Sequence, residues 1–281
     1  YKDSMKKHIE SVLNLNLVDV EKIKSKKIKV VVDAVNSTGG LIVPDFLKEL
    51  NVEVVKLYCE PNGDFPHNPE PLKKNLTELS KKVIECNADL GIAVDPDVDR
   101  LVFVCEDGEL FGEENTLVAC ADYVLSKTPG STVSNLSSSR ALNDITRKHN
   151  QVHYYSAVGE VNVVEKMKKC NAIIGGEGNG GVIYPESHYG RDSIVGIGLF
   201  LSLYAQRGLI ASKLLETFPK YFMVKEKINL SPSLNVDNIL SQIAGKYKNE
   251  KIDLVDGVRI DFKDSWVQLR KSNTEPIIRI Y

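Results

Sequence analysis

Two consecutive stretches of this chain repeat one plan, and that repetition limits the fold more than any single motif. In the first stretch, residues 28–32 are an apolar β-branched run closed by Asp33, residues 41–50 read as a helix and residues 52–58 alternate as a strand. Leu72, Leu76, Leu79 and Val83 then recur at helical spacing, and residues 90–94 form a third strand. Residues 101–105 and 109–111 flank Asp107-Gly108, a hairpin signal, and a helix over 115–127 closes the unit. After Thr128-Pro129-Gly130 the plan restarts, with strands at 132–136, 152–155 and 172–174 separated by helices at 140–149 and around Val161, Val164 and Met167. Such alternation implies a mixed, mostly parallel sheet with right-handed crossovers in each unit. Two helical stretches, 192–207 and 209–218, follow. The remainder differs. A strand at 221–230 and a helix marked by Val236, Ile239, Leu240 and Ile243 precede short strands at 254–255, 258–262, 266–269 and 277–281. The expected architecture is two α/β modules, 1–128 and 129–220, plus a small α+β module, 221–281, with an antiparallel sheet.

Each α/β module carries a chemically unusual loop at the carboxyl end of its third strand, where open α/β sheets bind ligands. The first is Asp95-Pro96-Asp97-Val98-Asp99-Arg100. Three carboxylates at alternate positions converge at low cost only around a cation, and hard oxygen ligands suit Mg²⁺ or Ca²⁺. The plainer reading is a solvated acidic turn. Asp95, Asp97, Asp99 and Glu106 also fall on EF-hand positions, but Arg100 stands where that loop needs glycine and a strand follows it. The second loop, 175–181, reads GGEGNGG. Its glycines match a dinucleotide fingerprint, yet a strand rather than a helix follows, so that reading fails on context. Glu177, Gly178 and Asn179 remain as a flexible backbone with one carboxylate and one amide, which suits sugar hydroxyls; a plain glycine turn is the alternative. The third segment, 270–276, reads RKSNTEP and is followed by Arg279. Arginine, hydroxyls and backbone N–H groups together make an oxyanion cradle.

Composition removes other classes. Lys plus Arg is 36 against 38 for Asp plus Glu, so no positive excess exists to bind nucleic acid. No apolar run approaches the ~20 residues of a membrane helix. Five widely spaced cysteines without a C-x-x-C argue against zinc knuckles and disulfides, and fit a reduced, cytoplasmic setting. Of the five histidines, His188 is the candidate to line a cleft; His8, His67, His149 and His153 are expected to be structural or exposed. The sequence begins at Tyr1 without Met and ends in a strand-like run, as part of a longer chain would.

Together the loops resemble the α-D-phosphohexomutases, in order and over nearly the whole chain. DPDVDR resembles that family's D-G-D-G-D-R metal loop, GEGNGG its G-E-x-S-G-H sugar loop, and RKSNTEP its R-P-S-G-T-E-P phosphate loop; FPHNPEP at 65–71 and VVDAVNSTGG near the start are also similar. The resemblance implies that Asp95, Asp97 and Asp99 bind Mg²⁺ and that Arg100 lies beside the phosphoryl group in transfer. It also implies that Glu177, Gly178 and Asn179 hold sugar hydroxyls. Arg270, Ser272, Asn273, Thr274 and Arg279 would hold the non-reacting phosphate. The implied reaction interconverts hexose 1- and 6-phosphates through a phosphoserine and a hexose bisphosphate.

Four departures qualify it. No T-A-S-H-N-P serine loop occurs in these residues, so they resemble domains two, three and most of four and are expected not to turn over alone. Gly181 stands where the sugar loop commonly has His. Pro96 and Val98 replace two glycines, which predicts a stiffer metal loop. The chain also stops soon after the phosphate loop. Val158-Gly159-Glu160 resembles phosphoglucosamine mutases, an acidic residue there pairing with a sugar amine; Glu160 as a helix-start carboxylate is the alternative. Glucosamine phosphate is therefore the expected substrate, with mannose or glucose phosphate next. A non-catalytic sugar-phosphate-binding module would use the same loops. The oligomeric state is not legible.

Overall fold

The computed structural model describes residues 2–230, 235–272 and 275–281. Two helices, α1 (Lys2–Leu13) and α2 (Val20–Lys24), precede the first sheet. That sheet holds β1 (Lys29–Asp33), β2 (Glu53–Leu57), β3 (Leu90–Val94) and β4 (Leu101–Cys105) in the order β2-β1-β3-β4. β1 pairs in parallel with β2 and β3, whereas β4 runs antiparallel to β3. The crossovers carry α3 (Gly39–Glu49) and α4 (Thr77–Glu85), and α5 (Glu113–Lys127) follows β4. β3 and β4 are buried along their whole length, as strands covered on both faces must be.

The second sheet repeats the first. β5 (Thr132–Asn135), β6 (His153–Ser156), β7 (Ile174–Glu177) and β8 (Gly181–Ile183) lie in the order β6-β5-β7-β8, again with two parallel pairs on β5 and an antiparallel β7/β8 pair. α6 (Ala141–Lys148) and α7 (Glu160–Cys170) are its crossovers; α8 (Ser193–Arg207) and α9 (Ala211–Leu215) follow. Asp192 starts α8 by accepting the backbone N–H groups of Ile194 and Val195 at 2.8 and 3.1 Å. Gly208, at φ +65°, ends it.

The two α/β modules share one core. A single apolar cluster reaches from Ile9 to Phe218. Phe103 of β4 stacks on Phe200 of α8 with centroids 3.7 Å apart, and Phe111 meets Phe200 edge-on at 5.1 Å. α5, which the sequence assigns to the first module, touches β4 on one side and α6, α8, β7 and β8 on the other.

The third module has an apolar core of its own. β9 (Glu226–Asn229), β10 (Lys251–Asp253), β11 (Val258–Asp261), β12 (Trp266–Lys271) and β13 (Ile277–Ile280) form an all-antiparallel sheet, β10-β11-β12-β13-β9. α10 (Val236–Lys246) sets Val236 and Leu240 on Val258, Ile260 and Ile278, a small core of its own. The architecture is thus two α/β modules with mixed sheets plus an antiparallel C-terminal sheet, as the alternation implies.

Several expected elements are shorter. Residues 221–225 are irregular and only β9 remains of the strand at 221–230. Residues 254–255 sit beyond β10 in the turn, and the helix at 209–218 shrinks to α9. The helix through Leu72 and Leu76 breaks, with a 3₁₀ turn at Lys73–Asn75 before α4. Asn75 donates its side-chain amide to the Glu70 carbonyl at 2.8 Å, a local bond that competes with helix.

One consequence positions the site. All three chemistry-bearing loops join antiparallel neighbours: 95–100 links β3 to β4, 178–180 links β7 to β8, and 272–276 links β12 to β13.

Candidate functional site

The aspartate loop, residues 95–100, is built around Asp95. Its buried Oδ1 accepts the backbone N–H groups of Asp99 and Arg100, each at 3.0 Å, which curls the loop back on the end of β3. Ser37 and Thr38 donate their hydroxyls to the Pro96 carbonyl at 2.8 and 2.7 Å, tying the loop to the start of α3. Val98 takes φ +63°, a left-handed backbone that a β-branched residue seldom adopts. Asp95, Asp97 and Asp99 bring ligand oxygens within 4.8 Å of one another. Burial pushes the Asp95 carboxyl up to about 7, with the neighbouring Asp99 and Asp97 charges adding to it. Arg100 offers partial relief, its Nε 3.4 Å from Asp95 Oδ2 and 3.8 Å from Asp99 Oδ1. Asp99 Oδ1 is nonetheless buried without a hydrogen bond. Clustered hard oxygens, a carboxyl raised by burial and by its acidic neighbours, and an orphaned acceptor fit a divalent cation.

The glycine-rich loop, residues 175–181, is held from several sides. Glu177 is buried at the end of β7, and its Oε1 accepts Asn135 Nδ2 at 2.8 Å and the Gly159 N–H at 3.0 Å. Its Oε2 accepts Arg191 Nη1 at 2.7 Å. Gly178 passes close to Glu114: a Cβ there would lie 2.0 Å from the side-chain tip at Oε1. Asn179 spends its Oδ1 on the Gly181 N–H at 3.2 Å, an Asx turn that shapes the loop.

Arg100, Glu177, Gly178, Asn179 and Arg279 line one cavity of about 280 Å³, to which all three modules contribute. Arg270 and Ser272 are buried nearby but do not line it. Arg270 Nε is 2.9 Å from Asp256 Oδ2, and that oxygen also accepts the Val158 N–H at 2.9 Å. Arg279 pairs with Glu275 at 2.7 Å. Asn273 and Thr274 lie outside the described residues. His188 lines a different cavity, of about 510 Å³, on the far side of the metal loop with Asp97, Arg191 and His8. Glu160 does not line the 280 Å³ cavity; its carboxylate meets Arg191, at 3.0 Å from the backbone N–H and 3.4 Å from Nε.

Sequence reasoning missed three residues. Arg191 bridges Asp99 and Glu177. Glu114, at the start of α5, lines the cavity and accepts the Ser139 N–H at 2.9 Å; burial pushes its carboxyl up to about 7. Lys225 reaches in from the linker to Glu113 at 2.7 Å. None belongs to a local motif, so only the fold reveals them.

Family models described as "Phosphoglucomutase/phosphomannomutase, alpha/beta/alpha domain II", "alpha/beta/alpha domain III" and "C-terminal domain" match residues 6–108, 113–221 and 227–281. The chain belongs to the phosphoglucomutase/phosphomannomutase family. Within it, the chain is 38% identical to the "Phosphoglucomutase/phosphomannomutase" of Thermococcus kodakarensis, over 99% of this chain and 61% of that relative. It is 33% identical to the "Probable phosphoglucosamine mutase" of Methanopyrus kandleri, over 96% and 61%. A phosphoglucomutase/phosphomannomutase family structure from Burkholderia thailandensis superposes with a TM-score of 0.81 at 28% identity, over 93% of this chain and 58% of that one. The chain thus spans about three fifths of the length of the relatives it matches. The relatives are named as mutases, so the family is one of enzymes.

Proposed function

We propose that this chain carries the metal, sugar and distal-phosphate loops of a magnesium-dependent phosphohexomutase that interconverts hexose 1- and 6-phosphates. The observation that carries the reading is the shared cavity: Arg100, Glu177, Asn179 and Arg279 come from three modules and face one space. Asp95, Asp97 and Asp99 would hold Mg²⁺, which when bound offsets charge on a phosphoryl group in transfer. Arg100, anchored between Asp95 and Glu70, adds a guanidinium at the cavity wall. Glu177 and Asn179 read sugar hydroxyls. Arg270, Ser272, Arg279 and, by resemblance, Asn273 and Thr274 hold the phosphate that is not reacting. An incoming phosphate would compete with Asp256 and Glu275 for the two arginines.

Glucosamine phosphate is our preferred substrate. Glu160, expected from the sequence to meet a sugar amine, is committed by the fold to Arg191. Of the carboxylates that line the cavity, Glu70, Glu113 and Glu177 are paired with Arg100, Lys225 and Arg191, and burial pushes Glu114 up to about 7, so the preference rests on the resemblance of residues 158–160 and on the 33% identity to a probable phosphoglucosamine mutase. The 38% identity to a phosphoglucomutase/phosphomannomutase favours glucose or mannose phosphate as the second reading. The phosphoserine donor is not among these residues, so we propose that they bind hexose phosphates and the hexose bisphosphate without steady turnover.

Calorimetry on the 281-residue chain decides the matter. Mg²⁺ should bind, and glucosamine 6-phosphate should bind more tightly than glucose 6-phosphate or mannose 6-phosphate. No heat from any hexose phosphate would remove the reading, the reverse preference would move the substrate, and steady mutase turnover would refute the need for an outside donor.

A further inference from the structure

We infer that Arg191 is the positioning residue that joins the metal loop to the sugar loop, and that position 181 is glycine to make room for it. The inference rests on the phosphohexomutase reading for its functional consequence, but its geometry stands apart from that reading.

Arg191 lies just before α8 and its side chain is largely buried. Nη1 donates to Glu177 Oε2 at 2.7 Å, and Nη2 donates to Asp99 Oδ2. Nε is 3.4 Å from Glu160 Oε2. One guanidinium therefore spans a carboxylate from each of the two α/β loops, while a third carboxylate holds it from behind. A planar fork can make such contacts in parallel, and a lysine ammonium cannot.

Gly181 completes the arrangement. A Cβ at this position would lie 2.3 Å from Arg191 Cδ and 3.1 Å from Cγ. Its backbone is not left-handed, so no conformational demand selects glycine here. Space alone does. The obstructing atom is mid-chain in a side chain hydrogen-bonded to two carboxylates and ion-paired with a third, so it cannot swing aside at low cost.

Two consequences follow for binding. With Oδ2 of Asp99 held by Arg191, Oδ1 is left buried without a hydrogen bond beside the other two aspartates. With Oε2 held, Glu177 has donors on both oxygens and presents a fixed face to the cavity. A shift of Asp99 as a cation binds is passed through one rigid group to Glu177. Metal occupancy and sugar-phosphate affinity are thereby coupled through Arg191.

The test uses the 281-residue chain, calorimetry and two probes, Mg²⁺ and glucosamine 6-phosphate. In the parent, saturating Mg²⁺ should tighten the sugar phosphate about fivefold or more. In Arg191→Ala that ratio should fall to about one, with both ligands still binding. Arg191→Lys, which keeps the stem and the charge and guards against simple unfolding, should not restore it. Arg191→Ala and Gly181→Ala should each weaken Mg²⁺ about tenfold, the range for removing a ligand's orienting partner. Adding Gly181→Ala to Arg191→Ala should cost little further, because Arg191 Cδ and Cγ are gone and only a 3.2 Å approach to Asn179 Oδ1 remains. An unchanged Mg²⁺ ratio in Arg191→Ala overturns the coupling. Additive losses in the double variant overturn the steric pairing. If the parent binds no hexose phosphate, the phosphohexomutase reading fails, and the Mg²⁺ cycle alone still decides the role of Arg191.

Discussion

His8 Nε2 lies 2.8 Å from Asp192 Oδ2, so the first helix closes on the start of α8. The same oxygen accepts His188 Nε2 at 2.9 Å, while Oδ1 caps the helix. Burial pushes the Asp192 carboxyl up, but hydrogen bonds from His188 and His8 outweigh it and hold it well below the usual carboxylate range. The Asp192 hydrogen bond raises His188 above its ordinary 6.5, with the Glu160 charge adding to it. The raised histidine contributes stability that is present below pH 6.5 and lost as pH rises through its folded value. The depressed carboxyl contributes stability that is present above pH 3.8 and lost as pH falls through its own folded value. Their windows overlap from about pH 4 to 6.5. His188 is nearly half exposed, so screening limits its share to under about 1 kcal/mol. Thermal melts of the parent and His188→Gln should differ at pH 5.5 and converge at pH 8.5; a gap of equal size at both pH values would contradict the linkage.

Asp97 is the exposed member of the aspartate cluster. Without a cation its charge only adds repulsion to a carboxyl already pushed up by burial. Asp97→Asn should therefore stabilise the metal-free chain slightly, by about 0.5 kcal/mol, while weakening Mg²⁺. Protons compete for Asp95, so the Mg²⁺ dissociation constant should rise as pH falls below about 7. At a hundred times that constant, Mg²⁺ should add about 2.7 kcal/mol to the parent. Denaturant curves with and without Mg²⁺ read both effects, and a variant that is less stable without metal would show the cluster to be something other than an ion site.

The repeated plan was legible because β-branched runs and helical spacing recur in the same order, and burial on both faces leaves β3 and β4 apolar throughout. The loops were legible because their chemistry is local: three aspartates at alternate positions, and a carboxylate among glycines. Arg191 was not, because what defines it is three carboxylates and one missing Cβ, brought together only by the meeting of two sheets. Glu114 and Lys225 were hidden for the same reason. α1 was missed because its anchor, His8, finds Asp192 only in three dimensions. The early break of the helix before α4 turned on one Asn75 side-chain bond, which spacing does not encode.

Val98 stands in the left-handed region and is also half-buried beside Gly39. Relief of that backbone strain is worth about 1–2 kcal/mol. Losing a half-buried Val side chain costs about 1 kcal/mol and the added freedom of glycine about 0.5–1 kcal/mol. Val98→Gly should thus stay within about 1 kcal/mol of the parent, whereas a truncation in a tight core would lose several. A drop beyond about 2 kcal/mol in urea, twice the expected bound, would mean that Val98 is not strained.

Arg259 carries the docking of the third module on the second. It is almost fully buried, donates Nη1 to the Leu136 carbonyl, and lies over the rings of Tyr155 and Trp266 at 4.6 and 4.3 Å. Arg140 reinforces it from the other side, with Nη2 2.9 Å from Asp261 Oδ1 and 2.8 Å from the Phe262 carbonyl. A desolvated cation over two rings is worth about 2 kcal/mol or more, and orphaning a buried carbonyl adds about 1–3 kcal/mol. Arg259→Ala should cost about 3–5 kcal/mol, and Arg259→Lys should recover little because an ammonium neither stacks nor forks. The loss should appear as faster amide exchange in β11, β12 and the linker 219–225, with β1 and β3 unchanged, since the third module has its own core. Uniform acceleration across all three sheets would mean that Arg259 supports the global fold. If the third module instead swings about 219–225, a hexose bisphosphate should slow exchange there in the parent and fail to do so in Arg259→Ala.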